Sequence, residues 1–176
     1  VEAVAIKPNV DEEAARAGMR SEGMKPSDQA MQLAELKALK VSSQREGLVI
    51  GGDQMLSLDN LTFDKPADIT EARDHLRQLS GQTHRLETAL VIAEDGRIVW
   101  RHLARPALTM RQLSGEFIDD YLALIGDEAL ETVGPYKLES SGIQLFEKID
   151  GDFFSILGLP LLPLLDYLRT RGAVPA

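Results

Sequence analysis

Apolar and polar residues alternate over Val1-Glu2-Ala3-Val4-Ala5-Ile6, the period of a half-buried strand, and Lys7-Pro8-Asn9 ends the pattern. An acidic segment without strong periodicity follows, Asp11-Glu12-Glu13. Ser27 then supplies an N-cap after Pro26, and Met31, Leu33, Ala34, Leu36, Ala38, Leu39 and Val41 form a broad apolar helical face ending near Val41. Gly47-Leu48-Val49-Ile50 is a short apolar run entering Gly51-Gly52, which predicts a buried strand opening into a tight backbone passage. Asp59-Asn60 marks a hairpin between Leu56 and Phe63.

Thr70 can cap a helix that runs to about Leu79 and stops at Ser80-Gly81. The stretch Thr83 to Leu113 is rich in Thr, Val and Ile around the turn Glu94-Asp95-Gly96-Arg97, which predicts one long hairpin. Ser114-Gly115-Glu116 opens a helix with Phe117, Ile118, Tyr121 and Leu122 facing inward. Gly134-Pro135 breaks the chain before a loop, Ile143-Gln144-Leu145-Phe146 is strand-like, and Gly158-Leu159-Pro160 leads into a last helix from about Leu161 to Arg169. Helices and strands mix without a regular βαβ period, so the pattern favours an α/β fold in which a mixed sheet is flanked by helices.

Composition narrows the chemistry. With 176 residues, 44% of them hydrophobic, the chain can bury a core of its own as a single domain. It has no cysteine, and His75, His84 and His102 lack metal-ligand spacing, so thiolate and zinc chemistry are disfavoured. A net charge of −9 weighs against a nucleic-acid polymer as partner, since such binding neutralises several phosphates along a basic stripe. A small anion bound in a locally positive pocket remains open. The most apolar stretch, Ile156 to Leu168, is broken by Gly158, Pro160, Pro163 and Asp166, and no secretion signal is apparent, so a cytoplasmic protein without a membrane span is expected.

Several polar residues stand where chemistry is possible. Asp53 follows two glycines at the end of an apolar strand, where a carboxylate meets either a ligand or only the N–H groups of its own turn. Lys65, between Asp64 and Pro66, follows the hairpin that could fold it back toward Asp53, or it is an ordinary surface lysine. Lys37 lies among the apolar residues of the first firm helix and either snorkels to solvent or serves a site. The carboxylates of Asp11, Glu12 and Glu13 suit a hard cation such as Mg²⁺, although most such clusters are simply solvated. The glycine-bounded segment Gly134 to Gly142 carries Tyr136, Lys137 and Glu139, and is either a binding loop or a connector. His84 and Trp100 fall on predicted strands, where packing accounts for them.

In this order the pieces resemble the Maf family of nucleotide pyrophosphatases. The family runs through an acidic D-E, L-A-x-x-K-A on a helix, G-x-D, K-P, L-S-G-x-x-H, G-x-Y and G-L-P. Here these are Asp11-Glu12, Leu33-Ala34-Glu35-Leu36-Lys37-Ala38, Gly51-Gly52-Asp53, Lys65-Pro66, Leu79-Ser80-Gly81-Gln82-Thr83-His84, Gly134-Pro135-Tyr136 and Gly158-Leu159-Pro160. The resemblance covers nearly the whole chain. It implies an elongated mixed sheet flanked by helices, with two lobes around a central cleft, and a homodimer. It also implies hydrolysis of nucleoside triphosphates to monophosphate and pyrophosphate with Mg²⁺ or Mn²⁺. By the same resemblance Asp53 activates or orients the water and, with Glu12, ligates the metal, while Lys37 and Lys65 contact the phosphates.

Family members begin with a strand and an S-x-S-x-R-R motif that holds phosphate. The sequence starts at Val1 with no match to that motif, so a segment ahead of Val1 is expected to be missing. Gln54 and Glu139 resemble the 7-methyl-GTP branch rather than the thymidine and uridine nucleotide branch. A carboxylate such as Glu139 can accept from guanine N1–H and N2–H together, a donor pair that adenine and pyrimidines lack. Two alternatives stay open: broad or pyrimidine (dTTP, UTP) preference, and a nucleotide-binding regulator of cell division that does not turn its ligand over.

Overall fold

A computed structural model describes residues 3–175. Among these are six α-helices, α1 (Glu12–Ser21), α2 (Pro26–Ser42), α3 (Ile69–Leu79), α4 (Gly115–Ile125), α5 (Phe153–Ile156) and α6 (Leu161–Thr170). Six strands, β1 (Val49–Leu58), β2 (Leu61–Phe63), β3 (Thr83–Glu94), β4 (Arg97–Ala104), β5 (Ala107–Met110) and β6 (Phe146–Asp150), form an open sheet. Its order is β2-β1-β3-β5-β6, with β4 also on β3, and the pairs β1–β2, β3–β4, β3–β5 and β5–β6 are antiparallel. The expected α/β class with a helix-flanked sheet is what forms. No helix among the described residues is long and apolar enough to cross a membrane.

The chain divides into two compact units, one of residues 1–53, 88–104 and 152–176, the other of 54–87 and 105–151. In the first, Ala30, Leu33, Ala34, Ala38 and Val41 of α2 are buried, the helical face that the apolar spacing predicts, although Leu36 stays exposed. Leu90 and Ile92 of β3 pack with Leu164 and Leu168 of α6, and Trp100 and Tyr167 lie against them.

The second unit buries Leu76 and Leu79 of α3, Leu108 and Met110 of β5, and Ile118, Tyr121 and Leu122 of α4. Glu87, only 2% exposed, is clamped there by Arg105, whose Nε and Nη2 donate at 2.7 and 3.0 Å, and by Ser57 Oγ at 3.1 Å. A buried carboxylate is tolerable when each oxygen accepts such bonds.

Several elements differ from the sequence expectation. Residues 3–10 form no strand, and Val1 and Glu2 lie outside the described residues. The acidic segment is the start of α1: Asp11 is its N-cap, accepting from Ala14 N at 3.0 Å, with Glu12 and Glu13 in the first turn. Helix α3 is capped by Asp68 rather than Thr70. The long hairpin forms around Asp95-Gly96, but its second arm breaks at Arg105-Pro106 into β4 and β5, since proline cannot donate to the ladder. The apolar run at Ile143 is a 3-10 helix, Ser141–Leu145, that precedes β6.

His84 and Tyr136, the ends of two motifs far apart in the chain, meet inside the second unit. His84 Nε2 lies 2.7 Å from Tyr136 Oη, with Phe146 against both rings. His84 is 0% exposed, and burial pushes its pKa down from 6.5 to about 4. The folded state therefore keeps it neutral while the unfolded chain protonates below 6.5, so stability is full above 6.5 and drains away as pH falls toward 4. The loss from this residue is roughly 3 kcal/mol between pH 7 and 4. Urea titrations at those two pH values are expected to show it in the parent chain and a clearly smaller pH response in His84→Gln.

Candidate functional site

Asp53 lies in the interior of β1, not at its end: the strand continues to Leu58, so the carboxylate projects from a sheet face rather than from a terminal turn. Its side chain is 4% exposed. Gly51 has a packing role, because a Cβ there would fall 2.6 Å from Ala34 O and 2.8 Å from Ala38 N. Only glycine lets the α2 backbone come this close to β1. That approach carries Lys37, the neighbour of Ala38, to Asp53: Lys37 Nζ donates to Oδ1 at 2.8 Å.

Lys37 Nζ also lies 3.0 Å from Glu12 Oε2, so a single ammonium bridges both carboxylates. The Asp11 cap sets where α1 begins and hence where Glu12 and, one turn on, Arg16 project. Arg16 Nη2 lies 3.2 and 3.3 Å from the two oxygens of Asp53 and 3.9 Å from Glu12 Oε2. Exposure grades outward from 4% at Asp53 to 17% at Lys37, 19% at Arg16 and 40% at Glu12. The two carboxylates thus mark the dry and the wet ends of the cluster, with the cations between them. Burial pushes the Asp53 carboxyl above its ordinary 3.8; the hydrogen bond and charge of Lys37 and the charge of Arg16 oppose this, and Glu12 adds to it.

Arg16 was not among the sequence candidates. Its pairing with Asp53 spans 37 positions and leaves no periodic trace, but the Glu12–Arg16 spacing of i,i+4 is a signal that a helical reading of the acidic segment would have exposed.

The other candidates belong to the second unit. Lys65 is exposed after β2, between exposed Asp64 and buried Pro66. Its charge reaches Glu131, whose carboxyl is held low mainly by a hydrogen bond from Lys137 and more weakly by Lys65. Lys137 Nζ sits 2.6 Å from Glu131 and 3.3 Å from Glu128. Glu139 is exposed in the turn at 138–140. Gln54 is partly buried and follows Asp53 in β1, so its side chain leaves the opposite face of the strand. The structure therefore brings together Glu12, Lys37 and Asp53 with Arg16, and describes Lys65, Gln54 and Glu139 elsewhere in the chain.

As a cation site, the cluster offers two carboxylates close enough to share one ammonium. No group of three or more His, Cys, Asp or Glu suited to a metal occurs among the described residues. Mg²⁺ commonly takes one or two protein carboxylates and fills its octahedron with phosphate and water, so these residues fit a cation shared with a phosphorylated ligand rather than an all-protein cage. Such a cation would have to displace Lys37 and Arg16 from the carboxylate oxygens.

Residues 1–171 match the family model described as Maf-like protein. A protein of Hyphomonas neptunium named nucleoside triphosphate pyrophosphatase is 62% identical over 175 residues, covering 99% of this chain and 88% of its own length. One of Mesorhizobium japonicum named 7-methyl-GTP pyrophosphatase is 53% identical over 171 residues, 97% of this chain and 86% of that protein. A nucleoside triphosphate pyrophosphatase of Caulobacter vibrioides is 50% identical over 170 residues, 97% and 85% of the two chains.

Proposed function

The chain belongs to the Maf family, and on that footing we propose that it hydrolyses nucleoside triphosphates between the α- and β-phosphates, releasing a nucleoside monophosphate and pyrophosphate. The observation that carries this reading is the buried Asp53 carboxylate, joined to Glu12 by the ammonium of Lys37 and flanked by Arg16. Hydrolysis requires a water aligned with the α-phosphorus, a group to take its proton, and positive charge where oxygen charge builds.

Asp53 has the chemistry for the proton. Its carboxyl is raised by burial, which makes the carboxylate a better base than an exposed one, while the charges of Lys37 and Arg16 favour its ionised form. The water's oxygen bonds to the α-phosphorus, its proton goes to Asp53, and the α-phosphorus–oxygen bond to pyrophosphate breaks. Lys37, a compact point charge, neutralises phosphate oxygens. A divalent cation, Mg²⁺ or Mn²⁺, held by Glu12 and Asp53 would add to that neutralisation. Lys65 as a phosphate contact, and Gln54 and Glu139 as base contacts, enter the proposal through the family motifs. The proposal extends to a cytoplasmic enzyme acting as a homodimer.

For the base we propose a modified guanine nucleotide such as 7-methyl-GTP, supported by Glu139 and by the names of relatives including that of Mesorhizobium japonicum. Pyrophosphate release is to be measured with Mn²⁺ or Mg²⁺ over 7-methyl-GTP, GTP, dTTP and UTP. The parent chain should prefer 7-methyl-GTP. Glu139→Gln should lose about 10- to 100-fold in kcat/KM for guanine nucleotides, the cost of unmaking bonds to a charged acceptor, and little for pyrimidines. Equal rates on all four, or a variant indifferent to the base, would overturn the assignment.

A further inference from the structure

We infer that Tyr136 and Gly142 are positioning residues for base recognition, holding the turn at 138–140 so that Glu139 is presented in a fixed place; the inference rests on the reading of Glu139 as the base contact. Glu139 is exposed, so its carboxylate takes its place from the backbone that carries it. That backbone is fastened ahead of the turn. Tyr136 Oη lies 2.7 Å from His84 Nε2, and its ring packs edge-on against Phe146 with centroids 4.9 Å apart. Tyr121 Oη donates to Pro135 O at 3.2 Å, and Thr132 Oγ1 lies 2.8 Å from Gly134 O and 3.1 Å from Tyr136 O. It is fastened again beyond the turn, where buried Leu145 accepts at its carbonyl from Arg111 N at 2.9 Å.

Gly142 closes the segment between these fastenings. A Cβ there would collide with Lys137 O and fall 2.9 Å from Lys137 N. Both are backbone atoms, so no rotamer change relieves the clash, and the φ of Gly142 lies outside the left-handed region, so alanine brings the collision without added φ strain. Ser140 N donates to Lys137 O at 3.2 Å, which makes Lys137 the first residue of the turn. With the chain held at 134–136 and at Leu145, a displaced Lys137 shifts the turn and Glu139 with it. A carboxylate already in place needs no ordering when the base arrives, and a misplacement of about 1 Å is enough to forfeit that advantage.

The test compares pyrophosphate release from 7-methyl-GTP and UTP by the full chain, by Tyr136→Phe, Gly142→Ala and Glu139→Gln, and by each of the first two combined with Glu139→Gln. Gly142→Ala should lose about 10- to 100-fold in kcat/KM for 7-methyl-GTP, the scale of a misplaced contact. Tyr136→Phe keeps the ring and removes one hydrogen bond, and should lose about 3- to 10-fold. Either should change the UTP value by less than about 3-fold, and neither should add much to the loss in Glu139→Gln, because residues that act through one group are not additive. Equal losses on both nucleotides, the same loss with and without the Glu139 carboxylate, or a parental base preference in either variant would overturn the inference. If Gly142→Ala does not fold, Tyr136→Phe decides alone. If Glu139→Gln leaves the base preference intact, the base-contact reading fails and takes the inference with it, whereas additive losses beside an effective Glu139→Gln sink the inference alone. If the parent hydrolyses neither nucleotide, the hydrolase reading fails, and affinities for the same two nucleotides by calorimetry carry the same comparison.

Discussion

Asp53→Asn is expected to lower pyrophosphate release by about 10²- to 10⁴-fold, the range for removing a positioned general base, with the fold intact. Asparagine matches the size of aspartate, so the β1–α2 packing at Gly51, Ala34 and Ala38 is not disturbed. The amide cannot take a proton from water, and its NH₂ end meets cationic donors: Lys37 and Arg16 can share its oxygen but conflict with its nitrogen.

Stability should move differently from activity. Because the folded carboxyl is raised above 3.8, the folded state binds the proton more tightly than the unfolded chain, and stability from this group is lost as pH rises from 3.8 through the raised value. Asp53→Asn abolishes that loss, so near neutral pH it should be about as stable as the parent while almost inactive. Urea unfolding at pH 7 beside a pyrophosphate assay checks both halves. An active Asn variant would remove Asp53 from the mechanism.

Lys37→Met should cost about 10²- to 10³-fold in kcat/KM, comparable to deleting one donor aimed at developing charge, together with a measurable loss of stability. Methionine retains much of the lysine stem, so α2 should keep its seat on Gly51. What disappears is the ammonium 2.8 Å from Asp53 and 3.0 Å from Glu12, which leaves two neighbouring carboxylates beside Arg16. Breaking a fully buried pair costs about 3–5 kcal/mol; with Glu12 40% exposed, a loss of about 2 kcal/mol is expected here. Lys37→Arg is not a conservative exchange, because a larger planar fork replaces a compact point charge. Parental kinetics in Lys37→Met would contradict the bridging role.

The helix α2 was legible because its apolar positions recur at helical spacing, and Leu33, Ala34, Ala38 and Val41 of that pattern are buried. Helix α1 was not, since Met19 is its only buried residue and an amphipathic stripe cannot be read from one position; its signature was instead the Asp11 cap and the acidic first turn, which in sequence are indistinguishable from a solvated acidic cluster. The tight passage at Gly51-Gly52 suggests the end of a strand, whereas Gly51 serves the approach of a helix across a continuing strand. Local sequence carries no mark of a neighbour that arrives from another element.

The same limit applies to the site. Lys37 and Glu12 could be named through their motifs, but not the geometry that makes one ammonium bridge two carboxylates, and Arg16 lay outside the motifs altogether. His84 was assigned to packing, and it is wholly buried against Tyr136 and Phe146; the motif that ends on it marks a core contact in the second unit.

The most direct measurement is the identity of the products formed from 7-methyl-GTP by the parent chain with Mn²⁺ or Mg²⁺, followed by phosphorus NMR. Attack at the α-phosphorus predicts 7-methyl-GMP and pyrophosphate in equal amounts, formed by the parent and not by Asp53→Asn. A diphosphate nucleotide with orthophosphate, or the same products from Asp53→Asn at the parental rate, would contradict it.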